Sequence, residues 1–199
     1  DMVPFKLEGT VAPNYDAYKT YYFAFHDVEE ESLTFQENTV EVFVDGTKIT
    51  SGYTVTTGTT DGCTFEVIFN NLKEIDAVKA GSKVTVTYKS ELNNKAVLGK
   101  NGNVNKAKLE FSNNPNSEQV GKPDKPGETP WDNVIVFTYK VVVNKYANIV
   151  SEANKLTGAE FTLSKKLKDG TTKNIAVVKS EDGTSFTFKG LDDGDYILT

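Results

Sequence analysis

Residues 21–27 read YYFAFHD. Every second position, Tyr21, Phe23 and Phe25, carries a large aromatic ring, and the same parity ends on an acid, Asp27. Side chains alternate between the two faces of a β-strand, so bulky apolar groups at a period of two mark a strand with one face on a core. The pattern recurs on both sides. Val3, Phe5 and Leu7 share a face, as do Val40, Val42 and Val44; Phe65, Val67 and Phe69; Val84, Val86 and Tyr88; and Ala107, Leu109 and Phe111. Asp45-Gly46, Asp61-Gly62, Ala80-Gly81 and Asn101-Gly102 punctuate the runs as turns. One short helix is expected, within Asn71–Ala80. Strands of this number and spacing predict an immunoglobulin-like β-sandwich.

The alternation stops at Ser117–Pro130, SEQVGKPDKPGETP, where Pro123, Pro126 and Pro130 sit among charges and Val120 is the one large apolar residue. Prolines lack the backbone donor that helices and central strands need, so this stretch reads as an extended, semi-stiff linker. The pattern then restarts. A long strand is expected over Ile135–Lys145, followed by Ala159–Ser164, Asn174–Val178, Ser185–Phe188 and Tyr196–Thr199. Tyr146–Gly158 reads as a loop with a helical turn at Ser151–Lys155. The expectation is an all-β chain of two tandem sandwiches, residues 1–116 and 131–199, joined by a linker at 117–130. The second is expected to be cut at its C-terminal end.

Composition narrows the function. The 199 residues carry a formal net charge of -6, which argues against nucleic acid or an anionic membrane as the main partner. Cys63 is the only cysteine, so an intramolecular disulfide is excluded. No stretch is long and apolar enough to span a bilayer as a helix. No basic-then-apolar leader opens the chain, and both ends read as cuts through a longer protein.

Several segments carry a family resemblance. DMVPFKLEGTV from Asp1, YKTYYFAFHD ending at Asp27, and LNNKAVLGKNGNVNKAKLEFSNNPN ending at Asn116 resemble the isopeptide-forming D2 domain of Gram-positive fimbrial proteins. VFTYKVVVNK, LTGAEFTLSKK and FTFKGLDDGDYILT resemble a CnaB-type pilin domain. In this order, covering nearly the whole chain, they resemble streptococcal backbone (shaft) pilins, with those of group B Streptococcus nearest in kind.

The resemblance implies an intramolecular amide between a lysine and an asparagine, with loss of ammonia and help from a buried acid. The chemistry is physically sound. Burial deprotonates a lysine into a nucleophile and keeps a carboxylic acid protonated, able to polarise a carbonyl. In the first domain Asp27 fits the assisting acid and Asn113, which continues the parity of Ala107, Leu109 and Phe111, fits the acceptor. The family's lysine lies upstream of the segment matching Asp1. Lys6 alternates away from the apolar face, and Lys19 sits at a strand's start. In the second domain Lys145 shares the face of Phe137, Tyr139, Val141 and Val143 and matches the reactive lysine, whereas Lys140 has the opposite parity. Its assisting Glu and acceptor Asn are expected beyond Thr199, because Tyr196–Thr199 match the start of the family's YxLxE motif.

Other features are weaker. His26, the only histidine, faces away from Asp27 and cannot build a multi-histidine metal site. Cys63 alternates with Phe65 and Val67 and reads as a small buried hydrophobe. Glu29-Glu30-Glu31 and Asp192-Asp193-Gly194-Asp195 fit no EF-hand loop and read as solvated turns. The GKNGN segment at Gly99 lacks the Lys-Ser/Thr of a P-loop. No cofactor or metal is expected. The expected role is a non-enzymatic structural subunit of a cell-wall-anchored extracellular pilus. Its partners would be other pilin subunits joined by sortase, minor pilins and host extracellular proteins, with no nucleic acid and no membrane contact. The alternatives are an adhesin or tip-pilin module gripping a host protein, and an accessory β-domain of a hydrolase.

Overall fold

Rings placed on alternate residues bury themselves only if the chain runs extended and a second sheet covers them, and that is how the chain folds. The computed structural model describes residues 2–59 and 61–199; Asp1, where the first resemblance begins, lies outside them. Two units divide the chain: 1–95 with 103–136, and 96–102 with 137–199.

The first unit holds β1 (Met2–Thr10), β2 (Phe23–Glu29), β3 (Leu33–Val44), β4 (Thr47–Ile49), β5 (Thr54–Thr57), β6 (Phe65–Phe69), β7 (Lys83–Leu92), β8 (Asn103–Phe111), β9 (Gly127–Glu128) and β10 (Asp132–Val136). One sheet has the order β1-β7-β3-β4; the other has β10-β8-β2-β6-β5, with β9 also on β8. Phe5, Val42, Val44, Val84, Val86 and Tyr88 from the first sheet, and Phe23, Phe25, Phe65, Val67 and Phe69 from the second, are all buried. Phe65 stacks on Phe35 with centroids 3.9 Å apart and meets Tyr88 edge-on at 4.8 Å. Each such side chain contributes about 1.5–3 kcal/mol on leaving water. Asp45 and Gly46, at φ 47° and 81°, turn β3 into β4, a two-residue hairpin in the left-handed conformation that Asp-Gly tolerates. The short helix expected after Phe69 is a 3-10 turn at Leu72–Glu74.

Gly9 is required for a different reason. A Cβ there would lie 2.8 Å from Cζ of Phe23 and 3.2 Å from Cδ2 of Leu109. Gly9→Ala is expected to destabilise the first unit by about 1–3 kcal/mol, as overpacking does. Chemical denaturation would measure it.

The division of the chain falls later than the sequence suggested. Residues 117–130 lie along the first unit rather than spanning free. Thr20 Oγ1 donates to the Gln119 carbonyl at 2.8 Å, Gly121 N–H to the Asn70 carbonyl at 2.9 Å, and Thr129 N–H to the Leu109 carbonyl at 2.9 Å. The expected single strand over Ile135–Lys145 is broken at Phe137–Thr138. Its first part is β10, paired with β8, and its second is β11 of the other unit.

The second unit holds β11 (Tyr139–Asn144), β12 (Leu163–Lys166), β13 (Thr172–Ile175), β14 (Val177–Lys179), β15 (Ser185–Leu191) and β16 (Tyr196–Leu198). They form two sheets, β11-β15-β14 and β13-β12-β16, so the run expected over Asn174–Val178 is split between them. Leu163, Phe186, Phe188 and Leu191 are its buried core, against which Val143, Phe161 and Tyr196 pack. The helical turn expected in Tyr146–Gly158 is a 3-10 turn at Glu152–Asn154.

Candidate functional site

β2 runs between β6 and β8, and its inner face carries Phe23, Phe25 and then Asp27. Asp27 pairs in register with Phe65 on one side and Ala107 on the other, so its carboxyl has no route to water and is fully buried. From the facing sheet the Tyr88 hydroxyl donates to Asp27 Oδ2 at 2.7 Å. From β8, Asn105 Nδ2 donates to the same oxygen at 3.1 Å and to the Tyr88 hydroxyl at 2.6 Å. Burial pushes the Asp27 carboxyl up to about 7, against the lowering effect of the Tyr88 and Asn105 hydrogen bonds. Glu29, two residues on, is also raised by burial and accepts a hydrogen bond from the Ser90 hydroxyl. The Tyr88 hydroxyl is raised by burial and by Asp27 beside it.

The triad is incomplete as a hydrogen-bonding system. Asp27 Oδ1 and Asn105 Oδ1 are buried acceptors without a donor among the described residues. An orphan of this kind costs about 1–3 kcal/mol, so the site suits an additional donor. Asn105 also lines an open apolar groove of about 720 Å³ within the first unit, between β1 on one side and β8 and β10 on the other. Phe5, Leu7, Leu109, Phe111 and Val134 form its walls. Among the described residues no lysine amine bonds to Asp27 or Asn105.

Asp27 is thus buried at an acid-stabilising site, but Asn113 is not beside it. Asn113 is exposed, two residues past the end of β8. The register explains the difference: Ala107 faces Asp27, which places Asn105 one same-face step away and Asn113 three steps the other way, roughly 20 Å along the strand. Asn105 shares the parity of Ala107, Leu109 and Phe111, so an asparagine on an apolar face was the available signal. Tyr88 carried no polar signal of its own. Lys6 is exposed and pairs with Glu8 at 3.3 Å; Lys19 pairs with Glu118 at 2.5 Å.

In the second unit Lys145 is exposed, one residue past β11. Of the face it was assigned to, Phe137, Tyr139 and Val141 are exposed and only Val143 packs against the core, and the register shifts between Tyr139 and Lys140. Lys165 of this unit is partly buried, and its Nζ lies 2.5 Å from both carboxylate oxygens of Asp192. The Tyr196 hydroxyl donates to Asp192 at 2.8 Å, and burial pushes that hydroxyl up to about 12.

No family model matches the chain. A curated relative, the trypsin-resistant surface T6 protein of Streptococcus pyogenes serotype M6, is 32% identical over 181 residues, covering 78% of this chain and 31% of the relative. The chain therefore spans about a third of the length of the curated relative it matches. Among solved structures, the T6 backbone pilin of S. pyogenes superimposes with a TM-score of 0.61 at 22% identity, over 99% of this chain and 47% of that one. Domains D2 and D3 of the major pilin SpaD from Corynebacterium diphtheriae give 0.66 at 23% identity, over 100% and 75%. The group B streptococcus pilus 2b backbone protein gives 0.66 at 21% identity, over 100% and 78%. These three establish the shared two-domain β fold, and the T6 relationship in sequence carries the same assignment. The chain belongs to the backbone pilins of Gram-positive bacteria.

Proposed function

We propose that this chain is part of the shaft of a covalently assembled extracellular pilus, and that its first unit is closed by an amide between Asn105 and a lysine supplied from outside these residues. The observation that carries the reading is the buried pair Asp27 and Asn105, each with an oxygen lacking a donor, at an open apolar groove. A lysine amine entering that groove would leave water and lose its proton, which makes it nucleophilic. Nζ attacks Cγ of Asn105; the C–Nδ2 bond breaks and ammonia leaves. Asp27, protonated below about pH 7, supplies a proton toward the Asn105 amide and recovers one from Nζ, so it ends as it began. Its Oδ2, 3.1 Å from Nδ2, is placed for proton delivery to the leaving nitrogen. The reaction runs once per chain, so the protein is not an enzyme. A bond of this kind replaces the disulfide that a single cysteine cannot form and restricts the unfolded chain in the same way.

In the second unit the proposal keeps Lys145 as the reactive lysine, with its acid and asparagine outside these residues. Sortase-linked copies of the subunit, minor pilins and host extracellular proteins are the proposed partners, and a wall-anchored pilus is the proposed location.

Intact mass of the full-length protein tests the first-unit bond. The wild type is expected to weigh one ammonia less per bond than its sequence. Asn105→Ala and Asp27→Ala should each restore one ammonia, and Asn113→Ala should not. A branched peptide containing Asn113, or a mass unaffected by Asn105→Ala, would overturn the assignment. Away from the bond, Asn113→Ala should leave stability within about 0.5 kcal/mol, as exposed positions do.

A further inference from the structure

The outer face of the β10-β8-β2-β6-β5 sheet carries a second buried cluster that the pilin reading does not use. His26 is fully buried at its centre, paired in register with Glu66 of β6 and Lys108 of β8. Its Nδ1 lies 2.7 Å from Glu66 Oε1, 3.2 Å from Asp61 Oδ2 and 3.6 Å from the Cys63 sulfur. Cys63 belongs to the loop before β6, which folds its thiol onto this face instead of continuing the alternation of Phe65 and Val67. The Cys63 thiol donates to Asp61 Oδ2 at 3.4 Å, and His26 Nδ1 lies closest to Glu66 at 2.7 Å, so the four groups converge on one point. A cation there would bind all four.

We propose that His26, Asp61, Cys63 and Glu66 form a binding site for one divalent transition-metal ion of the zinc class. Their ligand atoms all lie within 4.8 Å of one another. Tetrahedral zinc, with bonds of about 2.0–2.3 Å, needs its ligand atoms about 3.3–3.8 Å apart, so small side-chain adjustments close the site. One imidazole, one thiolate and two carboxylates form a mixed set that suits zinc and not calcium or magnesium, which take oxygen. On binding, the Nδ1 lone pair, the thiolate and one oxygen of each carboxylate go to the metal, and the thiol proton is released to water.

The surroundings already orient these groups. The other ring nitrogen, Nε2, lies 3.2 Å from Glu110 Oε2. Glu110 is held by Lys122 at 2.7 Å and Lys108 at 3.3 Å, which offset the negative charge of the ligands. Asp61 accepts from the Thr59 hydroxyl at 2.6 Å and the Cys63 N–H at 3.1 Å, and Glu66 from the Thr56 hydroxyl at 3.2 Å. The ion would tie the β5–β6 loop to the centre of the sheet, a structural role.

The test uses the 199-residue chain, stripped with a chelator and titrated with zinc and with cobalt(II) as a spectroscopic probe. One zinc per chain and a raised unfolding temperature are expected, with no effect from calcium. Cobalt should give thiolate-to-metal absorption that Cys63→Ser abolishes. Asp61→Asn, at an exposed loop position, gives a second ligand variant that does not disturb the core, and it should also weaken binding. The metal-free unfolding transition of each variant checks that the fold persists. Zinc that neither binds nor raises the unfolding temperature overturns the site and leaves His26 in an ion-pair network. Equal binding by wild type, Cys63→Ser and Asp61→Asn, or equal competition by calcium, overturns it as well.

Discussion

Between about pH 4 and pH 7 Asp27 alone is expected to lower the stability of the first unit by roughly 4 kcal/mol as pH rises. The sign follows from linkage. Folding raises the Asp27 carboxyl from its ordinary value near 3.8 to about 7, so in that window the folded state holds a proton that the unfolded state has lost. Stability falls wherever the native state binds more protons, at about 1.4 kcal/mol per pH unit, and levels off above about pH 7. Asp61 and Glu110 act in the opposite sense, because their hydrogen bonds and neighbouring cations hold them below the usual carboxylate range. Their contribution is present above the ordinary carboxylate range and lost as pH falls. The comparison that isolates Asp27 is the difference in unfolding free energy between wild type and Asp27→Asn across pH 4–8, with no crosslink formed. That difference should change steadily to pH 7 in favour of the asparagine variant. A flat difference would mean that the carboxyl is not raised, and its role as a protonated assisting acid would fall with it.

Phe65→Ala is expected to cost about 3–5 kcal/mol, a large part of the stability of an ordinary domain. Phe65 is fully buried and bridges the sheets, stacked on Phe35 and edge-on to Tyr88. Removing the ring leaves a cavity against the side chain that holds Asp27, so the effect should reach the site as well as the core. Urea unfolding would measure it; a loss below about 1 kcal/mol would mean that the neighbouring rings collapse into the space.

The β-sandwich of the first unit was legible because each run of alternating residues reported its own inward face. The same reasoning placed Asp27 inside. It failed where position along a strand, not parity, decided the answer. Asn105 and Asn113 have identical parity, and only the register of β8 against β2 separates a buried partner of Asp27 from an exposed residue. Likewise Ile135–Lys145 alternates without interruption, and nothing local reports that β10 pairs with β8 while β11 pairs with β15. Cys63 misled for a related reason: the alternation of β6 was extended past its first residue, Phe65, into a loop that turns the thiol the other way. Its burial was anticipated, its company was not. Lys145 was assigned by extending one parity from Phe137, but the strand breaks at Phe137–Thr138, its register shifts after Tyr139, and β11 ends one residue before Lys145.

The proline-rich stretch along the first unit bears on how the subunit meets digestive enzymes. All 22 basic residues of the chain are lysines, so a trypsin-like protease has only lysine to recognise. Irregular exposed backbone is where such enzymes cut, and the residues between Ser117 and Pro126 offer it. Both lysines there, Lys122 and Lys125, are exposed, yet each precedes a proline, whose ring occupies the site where the enzyme needs an ordinary N–H peptide. The Lys122 carbonyl, the group under attack, already accepts a hydrogen bond from Gln119 Nε2 at 2.8 Å. Neither Lys122 nor Lys125 therefore offers a readily cleaved bond, and trypsin is left with other lysines, among them Lys79 and Lys95, exposed in irregular segments of the first unit and each followed by alanine.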